Sequence, residues 1–268
     1  MGVCLASRFA TLALLRTARG CSFLVASYNL SAHHTDDVVR AANELQRHRG
    51  PDATNRAGIY GWSFLHNLLS MTGRPTLQPF NSNDGMVVVL FNGEIYNFRE
   101  LSVELGMTLE PGASDGVVLL PAYAQWQDGF FARLRGEFAI VLVDFRRRVV
   151  LMASDAFLTK PLWYAQYWPT AAATGEKRLL IASYESALKG LGAPDGSRHL
   201  ARPNEVLRLS FGAGGSREFS RSGAWPLVTW NLTQHKNHTR DWAAAFERAV
   251  ASRTRGLKHR AFIGLSSG

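Results

Sequence analysis

The chain has 268 residues, 46% of them hydrophobic, which is enough to bury a substantial core in one large domain or two ordinary ones. Its net charge of +9 is concentrated at the ends: residues 1–20 carry three arginines and no acid, residues 236–268 carry seven Lys/Arg against Asp241 and Glu247, and residues 21–235 hold 20 basic and 19 acidic side chains. The nearly neutral body argues against nucleic-acid binding, no apolar stretch reaches the roughly 18 residues needed to span a membrane, and the two cysteines, Cys4 and Cys21, exclude a disulfide-rich scaffold and lack metal-ligand spacing.

Met1–Gly20 is rich in Ala, Leu, Arg, Ser and Thr and has no Asp or Glu, the composition of a targeting peptide. An organelle transit peptide, a secretory peptide and a wrongly assigned start are the three readings, and all put Cys21 at or near the mature N-terminus. The expected location is cytoplasmic, or mitochondrial or plastid if the leader is a transit peptide. Cys21–Tyr28 reads as a buried strand. Thr35 can cap a helix through Arg47, with Asp36 and Asp37 at its positive end and an apolar stripe of Val38, Val39, Ala42 and Leu45. Gly58–Leu65 reads as a strand that leads into Leu68–Thr72. Met86–Phe91 reads as a buried strand that stops at the turn signal Asn92–Gly93.

Ser114 can cap a helix from Asp115 to about Trp126, with Pro121 as a potential kink, and a short helix is expected near Phe130–Leu134. Phe138–Phe145 and Val149–Ser154 predict an antiparallel hairpin with Arg146, Arg147 and Arg148 at its solvated tip. Arg178–Ser183 and Glu205–Ser210 are further strands. Gly212–Gly223 reads as a glycine- and serine-rich loop. Thr239 can cap a helix to about Arg253 with Trp242, Phe246, Ala249 and Val250 at helical spacing, and Ala261–Leu265 is a last short strand. Many short strands with a few helices predict an α+β arrangement of packed layers.

Two features point to chemistry. At the strand end, the Asn92 side chain and the Gly93 amide are two donors that can stabilise a developing oxyanion. A cysteine at a mature N-terminus has a thiol nucleophile and its own α-amine as base, and that amine titrates near pH 8, closer to neutrality than a lysine. The plain alternatives are a hairpin turn at Asn92–Gly93 and a buried free cysteine opening a strand.

The segments CSFLVASYN, HRGPDATN, HNLLSMTG, LQPF, FNGEIYNF and ASDGVVLL occur in the order and spacing of the class II glutamine amidotransferase domain. With RGEFAIVLVD, DAFLTKPLWY and ASYESALKGL, residues 21–210 resemble the amidotransferase half of a glutamine-hydrolysing asparagine synthetase. The tail, a helix followed by FIGLSSG, resembles the opening of that enzyme's synthetase domain. The resemblance implies an N-terminal-nucleophile fold, a four-layer αββα sandwich, followed by the truncated start of an α/β ATP-pyrophosphatase domain. The implied boundaries are a leader over 1–20, the amidotransferase domain over 21–210, a linker over 211–238 and the start of the synthetase domain over 239–268.

By resemblance, Cys21 attacks the side-chain amide of glutamine, Asn92 and Gly93 hold the oxyanion, and Glu94 and Asp115 bind the α-amino group. Arg49 and Asp52 shape the site, and His66 has a packing role. The family's carboxylate-gripping arginine is replaced by Leu68, so amides around Leu69–Met71 or another arginine, such as Arg74, would have to compensate. A second departure is Ser267, where a glycine is usual. The glutaminase half implies no cofactor and no metal; ATP and Mg are expected only for the synthetase domain. The implied partners are glutamine and a synthetase domain in cis or in trans, with a homodimer left open. The alternative function is a degenerate, non-catalytic domain that acts as a scaffold or binds a partner.

Overall fold

The computed structural model describes residues 20–71, 73–169, 177–211, 218–223 and 239–254. Residues 1–19 of the leader, Thr72, the strand expected at Ala261–Leu265 and Ser267 lie outside the described residues. The first half contains β1 (Ser22–Ala26), α1 (Leu30–His33), α2 (Asp36–Arg47), β2 (Ala53–Ile59), β3 (Trp62–Leu68), β4 (Phe80–Asn81) and β5 (Val87–Ile95). There follow α3 (Phe98–Glu104), α4 (Leu119–Trp126), β6 (Gly136–Asp144), β7 (Val149–Ser154), β8 (Trp163–Tyr167) and β9 (Arg178–Ala182). The described elements end with α5 (Glu185–Gly190), β10 (Arg198–Leu200), β11 (Glu205–Ser210), β12 (Glu218–Gly223) and α6 (Thr239–Thr254).

The strands form two six-stranded sheets, ordered β10-β8-β9-β1-β3-β2 and β12-β11-β7-β6-β5-β4. Side chains alternate between the faces of a strand, so each sheet sorts its apolar residues into two sets. Phe23, Val25 and Phe64 of the first sheet pack on Val88, Leu90, Ala139 and Val141 of the second. The outer face of the first sheet, with Leu24, Ala26 and Leu180, buries Val39 and Ala42 of α2 and Ala187 and Leu188 of α5. The outer face of the second, with Val89, Phe91 and Ile140, buries Leu101 of α3 and Leu119 and Tyr123 of α4. The result is the four-layer αββα sandwich, an α+β fold.

Several elements follow the sequence reading closely. Thr35 caps α2, its hydroxyl accepting from the Val38 amide at 3.3 Å, an arrangement worth about 1 kcal/mol. The hairpin β6–β7 has Arg146–Arg148 exposed at its tip, where Arg146 pairs with Asp84 and Arg147 with Asp128 at 3.0 Å.

Others differ. The strand expected over Gly58–Leu65 is a hairpin that turns at Tyr60–Gly61, both with positive φ. The helix expected from Asp115 begins as a 3-10 turn over Asp115–Val118, and only Leu119–Trp126 is α-helical. Pro121 stands in the first turn of α4, where an amide donor is not needed. The second sheet also takes in β12, within the stretch read as a linker over 211–238.

The Asn92–Gly93 pair is not a turn. β5 runs through it to Ile95, with Asn92 opposite Ala139 and Gly93 opposite Phe138 on β6. Gly93 has φ +142°, and a Cβ there would stand 1.9 Å from the Glu137 carbonyl oxygen. Glycine is required at this position for the close approach of two strands.

Candidate active site

Cys21 immediately precedes β1 and shares the parity of Phe23 and Val25, which places it on the inter-sheet side. A polar network behind it fixes the strand start. Asn67 of β3 donates to Ser22 Oγ at 3.0 Å and to Asn43 Oδ1 of α2 at 2.9 Å, and Ser22 Oγ donates to the Gln46 carbonyl at 3.0 Å. Thr54 Oγ1 donates to Asn67 Oδ1 at 2.8 Å. Ser22, Asn43, Gln46 and Asn67 are buried while Thr54 reaches in from an exposed position, and the network specifies one register at this edge of the site.

The thiol faces the loop after β3. Leu69 donates its amide to Cys21 Sγ at 3.3 Å, and the thiol lies 3.7 Å from the Leu69 carbonyl oxygen as donor. Burial pushes the thiol pKa up to about 11, with Glu94 and Asp115 adding to the rise, while the Leu69 amide and Lys160 oppose it. Little thiolate exists at neutral pH, so attack by this sulfur requires a base that takes the proton.

Asn92 shares the inter-sheet face of β5 with Val88 and Leu90. It is 1% exposed, and neither polar atom of its side-chain amide has a hydrogen-bond partner among the described residues. A buried amide left unpaired costs free energy that an incoming oxyanion would recover. Gln78 holds the adjoining backbone in place. Its side chain accepts from the Phe91 amide at 2.7 Å and donates to the Phe91 carbonyl at 3.0 Å. Asn55 donates to the Gln78 carbonyl at 2.8 Å.

Glu94, Asp115 and Arg74 line one cavity of about 710 Å³, together with Tyr96 and, from α6, Arg248 and Ser252. Asp115 is held in place by the Ile95 amide, which donates to its Oδ2 at 2.6 Å. Burial raises its pKa to about 6, against the lowering effect of the Ile95 and Gly116 amides. Glu94 stands opposite Glu137 in the β5–β6 register, a like-charge pairing. Glu137 is met by Arg253 of α6 at 2.7 Å and by Lys160 at 3.8 Å, which offsets that repulsion. Arg253 also lies over the Tyr96 ring, 5.2 Å from its centroid.

Cys21, Asn92 and Gly93 are not among the residues that line this cavity, and the remaining sequence-derived residues lie elsewhere too. Arg49 does not line this cavity: its carbonyl accepts from the Gly20 amide at 3.0 Å, and its guanidinium donates to the Tyr184 hydroxyl at 2.8 Å. It shapes the start of β1, and Asp52 shapes the next loop by accepting from the Ser70 amide at 2.8 Å. The Leu69 amide is committed to the thiol and the Ser70 amide to Asp52, and neither Leu69 nor Met71 lines this cavity. Leu68 is buried. His66 is fully buried, and burial pushes its pKa down to about 4, which keeps it neutral. Among the described residues no group of three or more His, Cys, Asp or Glu is arranged to hold a metal ion, and no helix is long and apolar enough to cross a membrane.

Sequence reasoning missed Gln78, Lys160 and the α6 residues. Gln78 does fall within the LQPF segment, but its bonds reach a residue 13 positions away, which pattern alone does not reveal.

The αββα fold, with Cys21 at the head of β1, is of the N-terminal-nucleophile type seen in amidotransferases. A sequence model of the glutamine amidotransferase domain matches residues 21–203, and the chain belongs to that family. It is 37% identical over 147 residues to asparagine synthetase [glutamine-hydrolyzing] 2 of Bacillus subtilis, a match covering 52% of this chain and 19% of that protein. It is 31% identical over 139 residues to the amidase chyE of Penicillium rubens, covering 51% of this chain and 21% of that protein. Among solved structures, the glutamine phosphoribosylpyrophosphate amidotransferase of B. subtilis superposes with a TM-score of 0.55 at 15% identity, over 78% of this chain and 50% of that one. This last likeness shows a shared fold. The chain spans less than a quarter of the length of these two curated relatives, 19% and 21%.

Proposed function

We propose that the chain hydrolyses glutamine to glutamate and ammonia and delivers the ammonia to a synthetase domain, in cis or in trans, that activates a carboxylate with ATP and Mg. The observation that carries the reading is the Asn92 amide, buried with both polar atoms unpaired on the inter-sheet face that Cys21 also shares.

In the proposed reaction, cleavage before Cys21 frees its α-amine. The amine takes the thiol proton as sulfur attacks the δ-carbon of glutamine, and the carbonyl electrons move onto oxygen. Asn92 and Gly93 receive that oxyanion. The oxyanion collapses, ammonia leaves with the proton returned by the amine, and a glutamyl thioester remains. Water, deprotonated by the same amine, then releases glutamate and restores the thiol. Nucleophile and base both come from Cys21, so this half-reaction draws on no cofactor.

The test is glutamate release by protein beginning at Cys21, beside its Cys21→Ala counterpart. Release that disappears with the thiol supports the reading. A folded protein with no release at saturating glutamine overturns it and favours a non-catalytic scaffold.

A further inference from the structure

Cys21 stands immediately before β1 and Asn92 lies in β5, so the two belong to different sheets. Their relative placement depends on what ties one sheet to the other. Two consecutive residues of β2, Thr54 and Asn55, reach both. Neighbouring side chains of a strand point to opposite faces. Asn55 shares the inter-sheet face with Ala57 and Ile59, and Thr54 takes the outer face, where Asn67 meets Asn43 of α2.

Thr54 serves the nucleophile strand. It stands opposite Asn67 on β3, and Asn67 stands opposite Ser22 on β1. The Thr54 hydroxyl donates to Asn67 Oδ1 at 2.8 Å, and Asn67 donates onward to Ser22 Oγ at 3.0 Å, one residue from Cys21.

Asn55 serves the oxyanion strand. β4 pairs with β5 with Phe80 opposite Val89, a register that continued by two residues brings Gln78 opposite Phe91. There the Gln78 side chain stands in for a strand, accepting from the Phe91 amide and donating to its carbonyl. The main-chain carbonyl of Gln78 is thereby left for another donor, and Asn55 Nδ2 is that donor at 2.8 Å. β2 and β4 are the edge strands of their sheets. The bond therefore crosses from one sheet edge to the other and ends one residue from Asn92.

We propose that Asn55 is a positioning residue for glutamine hydrolysis: through Gln78 and Phe91 it sets the place of Asn92 relative to the Cys21 sulfur, as Thr54 beside it fixes the strand of the sulfur. The proposal rests on the glutaminase reading. Asn55 does not line the cavity that holds Glu94 and Asp115, so it acts through Gln78. A misplacement of about 1 Å in a reacting geometry costs on the order of 100-fold in rate.

The experiment compares steady-state glutamate release with iodoacetamide alkylation of Cys21, on protein beginning at that residue and therefore without Cys4. Urea unfolding sets the conditions in which every variant is folded. Asn55→Ala is expected to lower kcat by about 10- to 100-fold, with KM and the alkylation rate changed by about twofold or less. Alkylation needs the thiol and its base but no oxyanion donor. Asn55→Asp, of the same size without the donor, should lose as much, and Asn55→Gln should recover part. In a Gln78→Ala background, Asn55→Ala should change kcat by about twofold or less, because the strut is already broken. An unchanged kcat, a loss carried by KM, alkylation slowed in step with kcat, or an undiminished loss in the Gln78→Ala background would each overturn the proposal and leave the glutaminase reading standing. No release by the unaltered protein would remove that reading and the proposal together.

Discussion

Asp115 accepts the Ile95 amide at 2.6 Å, which ties a cavity carboxylate to the strand that carries Asn92, Gly93 and Glu94. Its pKa lies near 6, above the ordinary 3.8, because burial disfavours the charge. Its contribution to stability is therefore fully present below about pH 3.8 and lost as pH rises through about 6. Ligand binding runs the other way, since an ammonium needs the ionised form. Glutamine affinity should fall as pH drops through about 6, by up to about tenfold per pH unit. Asp115→Asn should abolish binding at pH 7.5 while leaving the urea midpoint equal or higher; titration calorimetry and urea unfolding on the same samples check both.

The Asn92 side-chain amide has no hydrogen-bond partner among the described residues. Asn92→Ala should lower kcat by about 100- to 1,000-fold, the loss of one oxyanion donor, with stability unchanged or raised. Steady-state kinetics beside urea unfolding would separate the two effects. A large drop in stability would mean that the amide is partnered after all.

Gln78 satisfies both the amide and the carbonyl of Phe91. Gln78→Ala leaves two buried backbone groups unpaired and should cost about 2–4 kcal/mol in stability. It should also reduce kcat more than it raises KM, because Phe91 precedes Asn92 in β5. Gln78→Glu keeps an acceptor for the Phe91 amide and loses the donor to its carbonyl, so it should fall between. Urea unfolding and kinetics on the three proteins order them.

Gly93 allows no side chain, with φ at +142° and Glu137 against it. Gly93→Ala should destabilise the protein by about 3 kcal/mol or more, through strain and the displaced β6. Activity should fail with it. Thermal unfolding checks the first effect independently of the second.

His66 is held neutral with a pKa near 4 against an ordinary 6.5. A lowered pKa contributes stability that is present above about pH 6.5 and lost as pH falls through about 4. His66→Leu should flatten the stability profile over that window. Asp115→Asn should leave this acid limb in place, so urea midpoints measured across pH distinguish the two groups.

Local chemistry was legible in the sequence where the partners are local. The Thr35 cap, the acids that follow it and the apolar stripe of α2 all lie within one helix. The β6–β7 hairpin could be read for the same reason. Asn92–Gly93 was misread because the dipeptide that favours a tight turn also permits a close approach, and the deciding group is the Glu137 carbonyl on another strand. The commitment of the Leu69 amide to a thiol 48 residues away, and of Arg49 to a hydroxyl 135 residues away, cannot appear in periodicity. The ordered motifs identified the family, and the packing of two sheets determines which of their residues share a cavity.

The α6 helix lies beyond the residues matched by the family, yet Arg248 and Ser252 form part of the cavity wall and Arg253 anchors to Glu137. A ligand bound there and the position of that helix are consequently linked variables. If withdrawal of the helix changes ligand affinity by some factor, the ligand changes the helix equilibrium by the same factor. Salt that screens the Arg253–Glu137 pair would act on glutamine affinity without touching glutamine.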